Sequence, residues 1–254
     1  MSQILSAAGA LVDRIKINAV SREYRDGRAL RIKRRRWTAR PVMACANSFF
    51  RMVGNPIRAL EEPEVWQRWE VDCFLQLHGG EFCAFAEGAA AVAAEEVPGR
   101  SLAHYLDGGT LTQPMVIAAA REMRRAHEAE CDALRGAWSH GDPHAGNFVY
   151  EEATGRARLI DFEVMHDPAI CADARHADDL LIFLQDVVGR IAAALWLPMA
   201  QAFLTAYGRP EIVAILRRNL VVPSGLPRVW WAVRTTYMGS TELKRRVREL
   251  RESL

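Results

Sequence analysis

The stretch from Trp138 to Glu163 concentrates the residue types that do chemistry. Its first part reads Trp138-Ser139-His140-Gly141-Asp142-Pro143-His144-Ala145-Gly146-Asn147-Phe148, and its second reads Leu159-Ile160-Asp161-Phe162-Glu163. Between them, Phe148-Val149-Tyr150 predicts a strand, Glu151 to Gly155 a polar turn, and Ala157 to Ile160 a returning strand. Such a hairpin brings Asn147 at its entry beside Asp161 at its exit, aiming two oxygen-bearing side chains at one point. That is what a protein contributes to a Mg²⁺ ion whose other ligands are phosphates and water. Asp142 lies on the loop feeding the same hairpin. A carboxylate there can accept a hydroxyl proton while a metal neutralises phosphate charge.

These residues need elements to hold them. Ile17 to Tyr24 and Arg28 to Trp37 read as strands around Asp26-Gly27, a dipeptide suited to a type I′ hairpin turn. Glu61-Glu62-Pro63 opens a helix, because acids and proline suit a first turn. Along it Trp66, Trp69, Cys73 and Leu77 form one apolar stripe, and Gly79-Gly80 ends it. Strand-like runs follow at Glu81–Ala86 and Ala89–Val97, then a turn at Pro98-Gly99. Thr112–His127 and Asp178–Tyr207 have helical periodicity, and Glu242–Leu254 is a charged amphipathic helix. The order is strands, helix, strands, then mostly helices: an α+β pattern with a small β-rich lobe before a larger helical one.

The spacing His-x-Asp-x-x-x-x-Asn followed by Ile-Asp-Phe resembles the catalytic and metal loops of the protein-kinase-like superfamily. His140-Gly141-Asp142 is similar to the small-molecule branch, which includes aminoglycoside and choline phosphotransferases and Kdo/lipopolysaccharide kinases. The run His140 to Asn147 is also similar to loops of the ubiquinone-biosynthesis atypical kinases, without their long N-terminal extension. Where protein kinases follow Asp-Phe with Gly, this chain has Glu163, similar to choline-kinase-type loops. The resemblance implies a two-lobed kinase-like fold, with an N-lobe over residues 1–97 and a C-lobe over 98–254 carrying the catalytic loop, the metal loop and the acceptor-binding helices.

The same resemblance implies roles. Leu30-Arg31-Ile32-Lys33 resembles the strand whose lysine grips the α- and β-phosphates of ATP; Arg31, Arg34, Arg35 and Arg36 compete with Lys33 for that place. Glu70 becomes the glutamate that pairs with the lysine. Glu95-Glu96-Val97-Pro98-Gly99-Arg100-Ser101-Leu102 looks like the interlobe hinge, with the Glu95 carbonyl and Val97 amide on the adenine edge. Asp142 becomes the catalytic base, and Asn147 and Asp161 the Mg²⁺ ligands. His140 becomes structural, and His144 has no assigned role. Gly9 and Gly27 alone precede Lys33, so no glycine-rich phosphate loop is present before it.

The implied activity is ATP- and Mg²⁺-dependent phosphorylation of a hydroxyl on a small molecule or a glycolipid sugar. An inactive kinase-fold binding module and an atypical Ser/Thr protein kinase are the alternatives. A metal hydrolase built on His140, Asp142 and His144 would need further ligands, and the remaining histidines lack ligand spacing. Asp173, Asp178 and Asp179 either bind a cationic acceptor or cap a helix.

Composition sets the bounds. The 254 residues are 50% hydrophobic and 25% charged, enough for a sizeable core, which excludes collagen, disordered tails and disulfide miniproteins. Five scattered cysteines, an odd number with no C-x-x-C pair, point to a reducing compartment. The first residues lack a cationic signal-peptide start, and Pro198 and Gln201 interrupt the longest apolar run, Ile191–Tyr207. The expectation is a cytoplasmic protein, at most peripheral at the inner face of a membrane, with no nucleic-acid partner. Net charge is +2, yet residues 1–60 carry 13 Lys and Arg against 3 acids, or +10. A basic front suggests phosphate-rich or anionic-membrane contact, or a solvated strand face.

Overall fold

The computed structural model describes residues 17–235 and 238–254. Gly9 and, apart from Ile17, the N-terminal stretch judged not to be a secretion signal lie outside the described residues.

Strand β1 (Asn18–Arg25) turns through Asp26 and Gly27 into β2 (Arg28–Arg35). Both turn residues have left-handed φ, 50° and 76°, the type I′ geometry expected of Asp-Gly. The register then runs from Asn18↔Arg35 to Arg25↔Arg28. Alternation along β2 splits its side chains between two faces. Leu30 and Ile32 pack with Ala91 and Ala93 on one, while Lys33 and Arg35 point from the other.

Helix α1 (Ala39–Met52) and the short β3 (Ile57–Ala59) come next; sequence patterning had left both unassigned. α1 buries Ala39, Met43 and Phe50, and Pro41 falls in its first turn, where a missing N–H is harmless. The Asn47 amide holds β3 to α1 by bonding both the Ala59 N–H and its carbonyl. Helix α2 (Pro63–His78) buries the anticipated stripe of Trp66, Trp69, Cys73 and Leu77. β4 (Ala84–Ala86) and β5 (Ala91–Glu95) complete an antiparallel sheet of order β1-β2-β5-β4.

Past β5 the chain crosses into the second lobe. β6 (Arg100–Ser101) pairs with β9 (Phe148–Glu151), which pairs in turn with β10 (Arg156–Leu159). Around that small sheet lie α3 (Leu102–Asp107), α4 (Gln113–His127) and the two-residue strands β7 (Glu130–Cys131) and β8 (Gly136–Ala137). β11 (Val164–His166) pairs back with β3, stitching one lobe to the other. The remainder is helical: α5 (Ala172–Val188), α6 (Ala193–Tyr207), α7 (Pro210–Asn219), α8 (Pro227–Arg234) and α9 (Ser240–Ser253). The expected α+β pattern, a small antiparallel sheet lobe before a larger helical lobe, is the one observed. Its main core runs from Trp66 and Trp69 of α2 through α4, α5 and α6.

One helix expected over Asp178–Tyr207 is two. Gly189 caps α5, and Arg190 is held by Asp186 and Asp107 across the break before α6 begins after Ala192. Periodicity alone does not see a break between two apolar helices. Among the described residues no helix is long and apolar enough to cross a membrane.

Gly99, in the crossing, has φ of 120°, and a Cβ there would lie 2.2 Å from the Tyr150 carbonyl oxygen of β9. Gly27 also has positive φ, but open space surrounds it. Gly99→Ala therefore carries overpacking on top of backbone strain and should cost about 3 kcal/mol or more, against about 1 kcal/mol for Gly27→Ala. Urea denaturation of the two variants checks this; equal losses would mean that the crossing yields readily.

Candidate functional site

Lys33 is the member of its basic run whose charge lies at the inner end of the cleft between the lobes. Arg31 pairs with Glu96 at the mouth. Arg35 is buried behind the lysine, its guanidinium 4.3 Å over the Trp66 ring and bonded to the Leu60 carbonyl; it is not the surface residue that the basic front implied. Strand and helix spacing explain the match: two residues along β2 correspond to one turn of α2, so Arg35 meets Trp66 while Lys33 meets Glu70. The Lys33 ammonium lies 2.6 Å from Glu70 Oε1, 2.6 Å from Asp161 Oδ1 and 3.5 Å from Glu163 Oε1. Glu163 also accepts a hydrogen bond from the Asn18 amide at the start of β1.

Three carboxylates on one ammonium leave an excess of negative charge, which the buried Arg35 behind the lysine offsets only in part. Burial by itself would lower the Lys33 pKa, but Asp161 and Glu70 reverse this and hold it well above the ordinary lysine value. Burial would raise Asp161 as well, yet the ammonium keeps that carboxyl below its usual value. Glu163, pressed by burial and by the neighbouring Asp161 charge, is pushed up to about 7. Buried Glu70 is raised too, because burial outweighs the Lys33 ammonium beside it.

The hairpin closes as its sequence predicts: the Ile160 N–H donates to the Asn147 carbonyl at 2.9 Å, setting the entry and exit residues side by side. Asp161 takes a left-handed φ of 70° there, which a short polar side chain tolerates better than most. The Asn147 amide nitrogen donates to the Asp142 carbonyl, which leaves Oδ1, as assigned, accepting nothing from the described residues. Asn147 Oδ1 and the Asp161 carboxylate could thus hold a Mg²⁺ ion. Among the described residues no three His, Cys, Asp or Glu converge on a metal-sized point. Phosphate and water oxygens would have to complete the shell, the usual arrangement for Mg²⁺. The surplus of negative charge around Lys33 fits such a cation.

A cavity of about 520 Å³ runs from this cluster to the interlobe crossing. Val20, Val92 and Ala94 line it from the sheet lobe and Val149 and Ile160 from the helical lobe, with Lys33, Glu70 and Asp161 at its inner end and Glu95 and Val97 at the crossing. The Val97 N–H has no hydrogen-bond partner among the described residues. An apolar slot with a free backbone donor at one end and a charged end opposite suits a flat ring carrying a polyanionic tail. Asp142 and Asn147 lie beyond the residues that line this cavity.

Asp142 has a partner that sequence spacing missed. Arg234, on α8, donates from Nη2 to Asp142 Oδ1 at 2.8 Å, and the guanidinium outweighs burial in keeping the carboxyl below its usual value. His144 lies 4.0 Å from the other oxygen. His140 does hold the backbone: its Nδ1 accepts the Asp142 N–H and its Nε2 donates to the Ile160 carbonyl.

The acidic run of α5 divides: Asp179 is fully buried, Asp178 is partly buried and Asp173 is half exposed. Asp173 lies 3.7 Å from Arg209, and Asp178 bonds His166. Fully buried Asp179 accepts the His140 and Gly141 N–H groups at 2.8 Å each, and His127 Nε2 donates to it at 3.0 Å. Two turns later, Asp186 accepts the Ala145 N–H at 2.8 Å. Two carboxylates of one helix therefore fasten the loop that bears Asp142. The available signal was their seven-residue spacing, which puts both on one face of the helix.

No family model matches the chain, and no curated protein matches it. Several solved structures resemble it at low sequence identity. They include the complex of Rv3197 with erythromycin from Mycobacterium tuberculosis, at 21% identity and TM-score 0.42, covering 72% of this chain and 51% of that one. The chain thus spans about half the length of that protein. The streptomycin–ATP–APH(2″)-IIa ternary complex matches at 14% identity and TM-score 0.43, over 94% of this chain and 95% of that one. An ethanolamine kinase from Plasmodium vivax matches at 7% identity and TM-score 0.49, over 97% and 84%.

Burial would raise the Asp179 carboxyl, but the facing histidines His166 and His127 hold it well below its ordinary value of 3.8. A carboxyl depressed in the folded state stabilises above its unfolded pKa and loses that contribution as pH falls. Asp179→Asn should therefore lower stability by about 3 kcal/mol at neutral pH, the size of a broken buried charged hydrogen-bond group. The deficit should persist to about pH 5 and shrink below pH 4. Urea titrations at pH 7, 5 and 3.5 measure it, and a deficit independent of pH would show that the ionised carboxylate is not what fastens the loop.

Proposed function

We propose that the protein is an ATP- and Mg²⁺-dependent phosphotransferase that phosphorylates a hydroxyl of a small molecule or of a glycolipid sugar. The observation that carries this reading is Lys33, clamped between Glu70 and Asp161 at the inner end of an interlobe cavity whose far end offers the Val97 amide. Residues 1–97 act as the nucleotide lobe and 98–254 as the catalytic and acceptor lobe. Val97 N–H and the Glu95 carbonyl receive the adenine edge, and Lys33, oriented by Glu70, receives the α- and β-phosphates. Asn147 and Asp161 hold the Mg²⁺ ion, which supplies charge neutralisation on the phosphates when bound.

Asp142 orients the acceptor. Its carboxylate takes the hydroxyl proton as the acceptor oxygen bonds to the γ-phosphorus. The bond from that phosphorus to the bridging oxygen breaks, and ADP leaves with the electron pair. Little covalent chemistry falls to the protein, so positioning and charge neutralisation would account for most of the rate. The pairing of Arg234 with Asp142 favours one second reading, a nucleotide-binding module without turnover.

The basic front weighs little in this assignment. Arg22, Arg25, Arg28 and Arg31 each form an ion pair with Glu23, Glu87, Glu95 or Glu96. Less free positive charge faces solvent there than the +10 count implied, and contact with an anionic membrane is not needed to explain it.

Mg·ATP should raise the melting temperature of the wild type, and Lys33→Met and Asp161→Asn should each abolish that shift without unfolding the protein. Asp142→Asn should keep nucleotide affinity within a few-fold and lower turnover by about 10² or more, found by screening sugars, aminoglycosides, lipid A precursors and a generic protein for ATP consumption. A wild type indifferent to Mg·ATP would overturn the reading. Nucleotide binding with no turnover on any acceptor would favour the module.

A further inference from the structure

The catalytic loop His140 to Asn147 contains no lysine or arginine. Lys33 is already shared among three carboxylates on the other side of the cleft. A phosphoryl group in transfer spreads its charge over three equatorial oxygens and is stabilised by a cation close to the attacking oxygen. Among the described residues, the guanidinium bonded to Asp142 is that of Arg234.

Its position is built. One turn before it on α8, Trp230 lies against Phe50 of α1 with ring centroids 5.1 Å apart, edge to face, which anchors α8 across both lobes. The Arg234 guanidinium lies 4.5 Å over the same Trp230 ring and donates to Asp142 Oδ1 at 2.8 Å. Its Nε is buried, and among the described residues neither Nε nor Nη1 has a hydrogen-bond partner. An acceptor oxygen bonded to Asp142 approaches the transferring phosphorus at about 3 Å. A guanidinium fixed on Asp142 is then within one side-chain adjustment of the equatorial oxygens. The planar fork also suits two oxygens of one phosphoryl group.

We propose that Arg234 is a further catalytic residue, a cation supplied by α8 that leaves Asp142 to donate in forked fashion to the γ-phosphoryl during transfer. This rests on the phosphotransferase reading and specifies how the site completes its charge. Release of Asp142 from the guanidinium would free that carboxylate for the acceptor hydroxyl in the same movement, so the ion pair is the resting form of the site.

Binding of Mg·ADP with and without aluminium fluoride tests this without an acceptor, because the fluoride complex mimics the phosphoryl group in transfer. Wild type should bind Mg·ADP about 100-fold or more tightly when fluoroaluminate is present. Arg234→Gln should keep Mg·ADP affinity within about threefold and lose most of the fluoride-dependent gain, and Arg234→Lys, with the charge but not the fork, should fall between them. A full gain in Arg234→Gln, or parallel loss of Mg·ADP affinity and gain, would overturn the proposal in favour of a purely structural arginine. If Arg234→Gln does not fold, Arg234→Lys decides, and a gain equal to that of wild type overturns it. A wild type that binds Mg·ADP without any gain overturns the role of Arg234 alone, whereas one that binds no Mg·ADP overturns the phosphotransferase reading with it.

Discussion

A buried ammonium surrounded by carboxylates organises this molecule. Lys33 comes from the sheet, Glu70 from the helix behind it, and Asp161 and Glu163 from the exit of a hairpin in the other lobe. Lys33 and Glu70, the deepest of these, are each permitted by the other's charge, while Asp161 and Glu163 keep some exposure to the cleft. The cluster therefore joins the two lobes through an electrostatic requirement, and it does so at the inner end of the cavity. Its excess negative charge leaves the site short of a cation, a condition that a divalent metal or a proton on Glu163 would relieve.

The loop carrying Asp142 depends on a second constraint, the need of backbone N–H groups for partners once they are buried. His140 and Gly141 lie outside any helix or strand and Ala145 opens a single 3₁₀ turn (Ala145–Asn147), so none of these three amides has a partner within the loop. Asp179 and Asp186 supply the partners from α5, and the His127–Tyr207 pair completes the environment of Asp179. Tyr207 donates its hydroxyl proton to His127 Nδ1, which fixes the histidine to donate from Nε2 and keeps the carboxylate ionised. The position of the candidate base is thus decided two elements away from it, in the packing of α5 against α4 and α6.

Charge illustrates the difference between composition and surface. The first 60 residues carry a large positive excess, but acids that neutralise part of it come from later in the chain: Glu87, Glu95 and Glu96 around β5, and Asp167 beyond the hairpin, which pairs with Arg58. A count along the sequence cannot see these cross-strand and interlobe pairs. Arg35 makes the point most sharply, since a residue in a run of four cations lies under an indole ring in the interior.

The sequence by itself determined whatever depends on neighbours along the chain. Asp26-Gly27 sets the first hairpin because both positions need left-handed backbone, and the Trp66–Leu77 stripe sets the face that α2 buries. The polar turn between Asn147 and Asp161 brings those two side chains together, because a hairpin's ends meet whatever surrounds it. Tertiary structure decided what depends on distant groups. Lys33 was distinguished from the four arginines around it only by the helix that packs on β2, since alternation along a strand gives a face and not a partner. Asp179, Asp186 and Arg234 acquired their places from elements that meet the catalytic loop across 38 to 92 positions of sequence. The break between α5 and α6 was equally invisible, because the two helices are apolar on both sides of it. Local spacing encodes turns and faces; partners for buried charge and unpaired backbone are assigned only when the lobes close.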